Sequence, residues 1–246
     1  MKILTIKRVL AACVLLASLC SAHAVETVNT ADIKEWYAVA VGGLNLRDQP
    51  SQQGKKLALI PFGTKLEATG NESMDSQKGD YWTEVKHKGQ IGWVSNRLLN
   101  THELPEKPAV NFDWRGKVFY NAPSNWKSGG GSLLGDDFSI SYYRVKSTQF
   151  LLLERLNRRV GNFAEWRIID FLRIEDPNHN VGGGGGTCTA PNGAALKIDI
   201  TQELPGRSQK NGFQIYRLSR AWVTDTTQGR FVEVPVKGVV CKVFIE

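Results

Sequence analysis

Residues 82–94 read Trp82-Thr83-Glu84-Val85-Lys86-His87-Lys88-Gly89-Gln90-Ile91-Gly92-Trp93-Val94. Apolar and polar residues alternate on both sides of Lys88-Gly89, and alternation around a glycine-containing turn predicts a β-hairpin. Further short alternating runs precede this hairpin at Trp36–Val41, Leu44–Arg47, Leu57–Ile60 and Lys65–Thr69. Roughly five or six short strands in one small region are typical of a closed β-barrel. The sequence therefore predicts a small barrel over residues 35–100.

The same region carries a set of short motifs in a fixed order and spacing. They are Leu44-Asn45-Leu46-Arg47-x-x-Pro50-Ser51, Ile60-Pro61-x-Gly63-Thr64-x-Leu66, Trp82-x-x-Val85, Gly89-x-x-Gly92-Trp93-Val94 and Leu98-Leu99. In order and spacing these motifs resemble the bacterial SH3 family. The resemblance implies an SH3-like barrel that serves as a targeting or binding module in a cell-envelope protein, with peptidoglycan peptides among its ligands.

Four residues of this region are candidates for ligand contact. Asn45 and Arg47 belong to the first motif, and Tyr81 and Trp82 form an aromatic pair beside a polar stretch predicted to be a loop, Asn71–Asp80. An aromatic pair in that position is suited to face a groove. The alternative interpretation is that Asn45 and Arg47 only hydrogen-bond the neighbouring loop, and that the barrel acts as a spacer.

The first 24 residues have the organisation of a secretory signal peptide. A basic segment that ends at Arg8 precedes the apolar run Val9–Leu19, and Ala22-His23-Ala24 supplies the small residues that signal peptidase accepts. We expect cleavage after Ala24 and an exported protein, periplasmic or secreted. Cys13 offers a lipid-anchor alternative, but only four residues separate it from Arg8, which leaves almost no apolar segment ahead of it. No later run has the roughly 20 apolar residues of a membrane span, so we expect no stable membrane insertion.

Export also determines how the cysteines and charges are interpreted. Removal of residues 1–24 leaves Cys188 and Cys241, which in an oxidising compartment are expected to form one disulfide. Lys2, Lys7 and Arg8 leave with the signal, so a net charge of +7 becomes +4. Residues 117–246 carry 17 basic and 12 acidic residues, and this mild excess suits an anionic envelope partner. We expect no nucleic-acid partner, because export would remove the opportunity and no basic-aromatic motif is present.

The rest of the chain predicts a second β domain. Residues 101–115 contain Pro105 and Pro108 in a polar stretch and predict a linker. Residues 116–246 consist mainly of short alternating runs, which predict an antiparallel β sandwich or half-barrel. The predicted fold class is therefore all-β, with an SH3-like barrel followed by this second domain.

Three local features of the second domain are also predicted. The glycine runs Gly129–Gly131 and Gly182–Gly186 indicate loops, and Asn157–Asn162 indicates a connection between strands. The segment Phe150–Phe171 is apolar enough to leave a helix open as an alternative to strands. Alternate residues of the following strand are expected to share one face: Trp166, Ile168, Asp170, Leu172 and Ile174.

Peptidoglycan hydrolysis is the enzymatic alternative. A cysteine peptidase requires a free thiolate near a histidine, whereas both remaining cysteines are predicted to be bonded. A zinc enzyme requires two or three ligands that include histidines. The only histidines after residue 24 are His87, His102 and His179. A carboxylate pair for glycoside cleavage remains open among Glu154, Glu165, Asp170 and Glu175.

This residue inventory favours a non-catalytic envelope protein without metal or cofactor. Its SH3-like domain is expected to engage a peptide or peptidoglycan, or another envelope protein. The alternatives are a peptidoglycan hydrolase and an inhibitor or chaperone-like partner of an envelope enzyme.

Mass spectrometry of the exported protein under non-reducing conditions tests the processing prediction. We expect a mass that begins at Val25 and is two hydrogens lighter than the reduced chain, because Cys188 and Cys241 are bonded. A diacylated Cys13 would contradict both the cleavage site and the localisation.

Overall fold

The structure is a computed structural model that describes residues 25–75, 79–105, 112–175, 181–183 and 187–244, with the backbone alone at 181–183. The described part is all-β, as the sequence predicts. Within these ranges no helix has the length and apolar character needed to cross a membrane. The predicted signal peptide and His179 lie outside the described residues.

Short strands make up the N-terminal half. They are β1 (Thr27–Val28), β2 (Glu35–Ala38), β3 (Leu44–Arg47), β4 (Lys56–Ile60), β5 (Lys65–Asp75), β6 (Asp80–His87), β7 (Gln90–Ser95) and β8 (Leu99–Asn100). Single 3-10 turns lie at Thr30–Asp32 and Asn96–Leu98. Strands β2 to β8 form one seven-stranded sheet in the order β4-β3-β7-β6-β5-β2-β8.

The alternation read from the sequence determines which residues fill this barrel. Leu44 and Leu46 of β3 are buried. Asn45 and Arg47, which alternate with them, face outward and are half-buried. The β6–β7 turn has positive φ at both Lys88 (51°) and Gly89 (82°), which is the geometry of the two-residue turns that suit hairpins. Gly92 is required by packing, because a Cβ there would lie 2.6 Å from the Arg47 carbonyl oxygen.

Part of the polar segment Asn71–Asp80, which the sequence predicts to be a loop, is a strand. Asn71 to Asp75 continue strand β5, so the predicted loop Asn71–Asp80 is wrong over this part. Residues 76–78 lie outside the described part of the chain. The strand persists here because its backbone pairs with β6, from Glu72 opposite Thr83 to Asp75 opposite Asp80.

The C-terminal half contains the remaining strands. They are β9 (Val118–Phe119), β10 (Lys127–Leu134), β11 (Phe138–Val145), β12 (Thr148–Val160), β13 (Phe163–Glu175), β14 (Val181–Gly183), β15 (Thr187–Thr189), β16 (Ala195–Leu196), β17 (Ile200–Glu203), β18 (Ser208–Lys210), β19 (Phe213–Asp225), β20 (Arg230–Val234) and β21 (Val240–Phe244).

These strands form two sheets that share a core. The six-stranded sheet has the order β10-β11-β12-β13-β9, with β1 pairing in parallel with β12. The eight-stranded sheet has the order β14-β17-β19-β21-β15-β16, with β18 and β20 both pairing with β19. Ile140, Leu151 and Leu153 of the first sheet pack in one buried cluster with Ile200 and Trp222 of the second.

The segment Phe150–Phe171 is part of the long β12–β13 hairpin, so the helical alternative is wrong. The register shifts at Leu153, which pairs with Asp170 while Glu154 pairs with Ile168. The extra residue, Ile169, makes a β-bulge, and a bulge changes which side of the sheet the following residues occupy. Ile168 consequently packs in one cluster while Leu172 and Ile174 pack in another, so the predicted common face is wrong.

Two further predicted loops are strands. Gly129–Gly131 lies within β10, because its backbone pairs with β11 despite the low strand propensity of glycine. Asn157 to Val160 lie within β12, and the chain turns only at Gly161 and Asn162. Of Gly182–Gly186, Gly182 and Gly183 belong to β14, whereas 184–186 lie outside the described residues.

The predicted disulfide is confirmed. Cys188 of β15 and Cys241 of β21 lie directly opposite each other, with their Cα atoms 4.1 Å apart. Both are buried within the cluster that also contains Ile198, Tyr216 and Leu218. The bond therefore connects the last described strand to the strand that follows the glycine run.

A carboxyl group is buried in the six-stranded sheet. Glu154 of β12 is 2% exposed, and the Ser139 and Ser141 hydroxyls donate to its Oε2 at 3.2 and 2.6 Å. Burial raises the pKa of the Glu154 carboxyl to about 7, although the two hydroxyl hydrogen bonds act to lower it. The protein is therefore expected to be more stable when Glu154 is protonated.

Stability should depend on pH through Glu154. The unfolded carboxyl ionises near its ordinary pKa of 4.5 and the folded one near 7, so this contribution is full below pH 4.5 and is lost as pH rises to 7. We expect a decrease of about 3 kcal/mol in the unfolding free energy over this interval. Urea unfolding of Glu154→Gln should lack the decrease, whereas Glu67→Gln, at an exposed position, should retain it. Equal pH dependence in both variants would contradict the assignment.

Loss of the disulfide should weaken the second half of the chain. The bond closes a loop with a sequence separation of 53 residues, which in the chain-entropy relation corresponds to about 4 kcal/mol. Urea unfolding of the oxidised protein is compared with that of its reduced form and of the double variant Cys188→Ala, Cys241→Ala. A loss below about 1 kcal/mol in both would contradict a stabilising role for the bond.

Candidate functional site

A cavity of about 210 Å³ on the barrel contains three of the four predicted ligand residues. Asn45 and Arg47 reach it from the outward face of β3, and Trp82 reaches it from β6. The remaining lining residues are Gly43, Leu44, Gln52, Ser95 and Leu98. Residues 37 positions apart in the sequence thus meet because β7 lies between β3 and β6 in the sheet.

Two polar atoms of this cavity wall have unused hydrogen-bonding capacity. The Asn45 carbonyl oxygen Oδ1 and the Trp82 indole Nε1 are buried, and neither has a partner among the described residues. A buried polar atom without a hydrogen-bond partner lowers the stability of the fold by about 1–3 kcal/mol. One is an acceptor and the other is a donor.

Arg47 has a structural role as well as a position at the cavity. Its Nη1 donates to the Gly54 carbonyl at 2.6 Å and so supports the loop between β3 and β4. The alternative interpretation, a hydrogen bond to the neighbouring loop, therefore holds for Arg47. Within the described chain its guanidinium has no carboxylate partner, so it retains a positive charge at the cavity.

Tyr81 lies apart from the other three residues, in a second cavity of about 240 Å³ between the barrel and the C-terminal half. Its ring meets the Phe163 ring edge-on at a centroid distance of 5.6 Å, and Tyr120 contacts Phe163 at 5.9 Å. Tyr81 is 39% exposed and Phe163 42% exposed. The other lining residues are Gly79, Asn96, Arg97, Asn121, Ala164 and Trp166.

Asp80 connects the two cavities. It is 8% exposed, and its carboxylate accepts from Gln52 Nε2 at 3.3 Å and pairs with Arg97 Nη2 at 3.0 Å. Gln52 lines the barrel cavity and Arg97 lines the junction cavity. The four predicted residues therefore occupy two neighbouring recesses joined by one buried carboxylate.

Sequence patterns do not place Tyr120, Phe163 and Trp166 beside Tyr81. These three residues lie 39 or more positions after it. Their alternation with other residues predicts strands and not a site, and only the packing of the β12–β13 hairpin on the barrel brings them to Tyr81.

Three of the four carboxylates considered for glycoside cleavage are engaged in buried structural hydrogen bonds, and the fourth, Glu175, is exposed and pairs with Arg173. Glu165 is 0% exposed and accepts from Thr101, from Asn157 Nδ2 at 2.6 Å and from Arg158 Nε at 2.9 Å. Asp170, 8% exposed, accepts from Arg115 Nη2 at 2.9 Å and from the Phe231 backbone N–H at 2.8 Å. Glu154 is bonded to two serines, as described above.

The histidines do not combine with other ligands in the described part of the chain. His87 lies at the end of β6, and His102 lies 4.0 Å from the Glu165 carboxylate. Burial lowers the pKa of His102 despite the attraction of that carboxylate. No cluster of three or more histidine, cysteine or acidic side chains suited to a metal ion occurs within the described ranges.

Comparison with known families agrees with the barrel geometry. Residues 42–100 match the profile of the bacterial SH3 domain, and this part of the chain is a bacterial SH3 domain. The matched segment includes Asn45, Arg47, Tyr81 and Trp82. No curated protein matches the chain significantly.

Proposed function

We propose that this protein is an exported, non-catalytic binding protein of the cell envelope whose SH3 domain holds a peptide segment of peptidoglycan or of an envelope protein. The observation that carries the proposal is the unpaired donor and acceptor in the barrel cavity, Trp82 Nε1 and Asn45 Oδ1. A peptide group carries both matching functions, an N–H that can donate to Asn45 Oδ1 and a carbonyl that can accept from Trp82 Nε1.

The rest of the cavity favours a short, acidic peptide. Trp82 and Leu98 supply apolar surface, and Arg47 supplies a positive charge. Guanidinium groups bind carboxylates through strong charge-assisted hydrogen bonds. Stem peptides of peptidoglycan combine peptide groups with free carboxylates and so match both features.

The junction cavity extends this surface along the ligand. Tyr81 and Phe163 present exposed aromatic rings there, and aromatic side chains with a polar rim are enriched in binding sites. A ligand that spans both recesses contacts the SH3 domain and the β12–β13 hairpin together. The C-terminal half would then contact the ligand through the β12–β13 hairpin.

The absence of catalysis is part of the proposal. It is supported by the burial of Glu154, Glu165 and Asp170 and by their bonds to neighbouring side chains and backbone. It is also supported by the disulfide, which leaves neither Cys188 nor Cys241 as a thiol. The disulfide is equally consistent with an oxidising, extracytoplasmic location.

Titration with a peptidoglycan stem peptide tests the binding site. In the isotope-labelled chain from Val25, backbone shifts should move at Asn45, Trp82 and Ser95, together with the Trp82 indole N–H. Asn45→Ala should weaken binding roughly 3- to 10-fold, which corresponds to one hydrogen bond. Gln90→Ala, at an exposed position on β7, should bind as the unchanged protein does.

Two results would overturn the proposal. One is the absence of binding to stem peptides, to intact peptidoglycan and to any protein of an envelope extract. The other is release of muropeptides from purified peptidoglycan by the pure protein, with the release abolished by Glu165→Gln at unchanged thermal stability.

A further inference from the structure

A cavity of about 610 Å³ lies over β10, β11 and β12 of the six-stranded sheet, away from the SH3 domain. Its wall is built by β10, β11 and β12, and it includes Lys127, Tyr142, Arg144 and Gln149. The volume falls within the roughly 300–1,000 Å³ of ligand sites. Nothing in the SH3 domain contributes to it.

β10 is an edge strand with an unprotected outer side. It pairs with β11 from Lys127 to Leu134 with a bulge at Gly129, and among the described residues it has no partner strand on the other side. Alternate residues of an edge strand direct their N–H and carbonyl groups outward, where another strand can pair with them. Natural edges are usually protected by charges, proline or bulges. β10 has one bulge, at Gly129, and from Gly130 to Leu134 it has none of the three.

Glycines keep this edge open to an incoming backbone. A Cβ at Gly131 would lie 2.8 Å from the Ile140 carbonyl oxygen, and Gly130 has a φ of 97°. Both positions therefore favour glycine sterically, and neither presents a side chain to an approaching strand. Seven of the eight residues of β10 are exposed.

Side chains on the two faces of the edge indicate the kind of segment that fits. Leu133 is 71% exposed, more than any other large apolar residue in the described part of the chain. At the other end, Lys127 is opposite Arg144 on β11, and both are exposed. Neither cation is ion-paired within the described residues. Pairing with another copy of β10 would leave both cations without a carboxylate, because the strand contains no acidic residue.

We infer that β10 captures an extended acidic segment of a partner protein as an added strand of the six-stranded sheet. The partner's backbone pairs with the glycine edge, its acidic side chains face Lys127 and Arg144, and its apolar side chains cover Leu133. The inference is independent of the peptide site on the SH3 domain, because no residue is shared between the two cavities.

Capped eight-residue peptides are suitable probes. One alternates valine and glutamate, and a second alternates valine and lysine. We expect the acidic peptide to bind at least 10-fold more tightly at low salt and to slow amide hydrogen exchange within Lys127–Leu134. Two N-methylated forms of the acidic peptide carry methyl groups at the odd-numbered or at the even-numbered residues. The form whose methyl groups face β10 should not bind, and the other form should bind normally.

Variants locate the contact. Leu133→Lys and Arg144→Gln should each weaken binding of the acidic peptide at least 3-fold. Their matched controls, Leu204→Lys just after β17 and Arg217→Gln on β19, alter exposed residues away from β10 and should leave binding unchanged. Equal affinity for both peptides, protection at a different strand, or no binding would overturn the inference. Protection of β10 that depends only on protein concentration would instead identify a second copy as the occupant and would also overturn it.

Discussion

The SH3 barrel and the C-terminal half share buried side chains, and the rest of the structure depends on that packing. Val160, at the end of β12, is 0% exposed and belongs to the same cluster as Trp36 and Leu46 of the barrel. Val39 of the barrel belongs in turn to the aromatic cluster of Trp114 and its neighbours. Since burial of apolar surface is the main stabilising term, neither half completes its core alone.

This shared packing explains the position of the junction cavity. The turn after Val160 carries Phe163 to Tyr81, and the Glu165 network connects Thr101 to β12. β1 adds to the attachment by pairing with β12. Aromatic rings from distant parts of the chain thereby line one recess, next to the barrel cavity to which Asp80 connects it. The junction cavity therefore exists only where the two halves pack together.

Sequence patterns were reliable where local chemistry decides the structure. The period-2 alternation of Leu44 and Leu46, the Lys88-Gly89 turn and the order of the SH3 motifs all have local causes, and each appears as expected. Sequence patterns were misleading where hydrogen bonding to a neighbouring strand overrides the local conformational preference of the residues. Gly129–Gly131 is a strand because β11 supplies its hydrogen-bond partners. A one-residue bulge at Ile169 exchanges the faces of β13, and no feature of the sequence marks it.

Four features could be predicted from the sequence: the barrel, the all-β class, the disulfide between Cys188 and Cys241, and three residues of the barrel cavity. Those features follow from alternation, turn residues and cysteine number, which are local or countable properties. Only the tertiary structure decided that Tyr81 belongs to a separate recess and that the carboxylates of Glu154 and Glu165 are buried. It also decided that a glycine run forms a sheet edge. These outcomes depend on which distant strands meet, and strand pairing is determined by the packing of the whole chain.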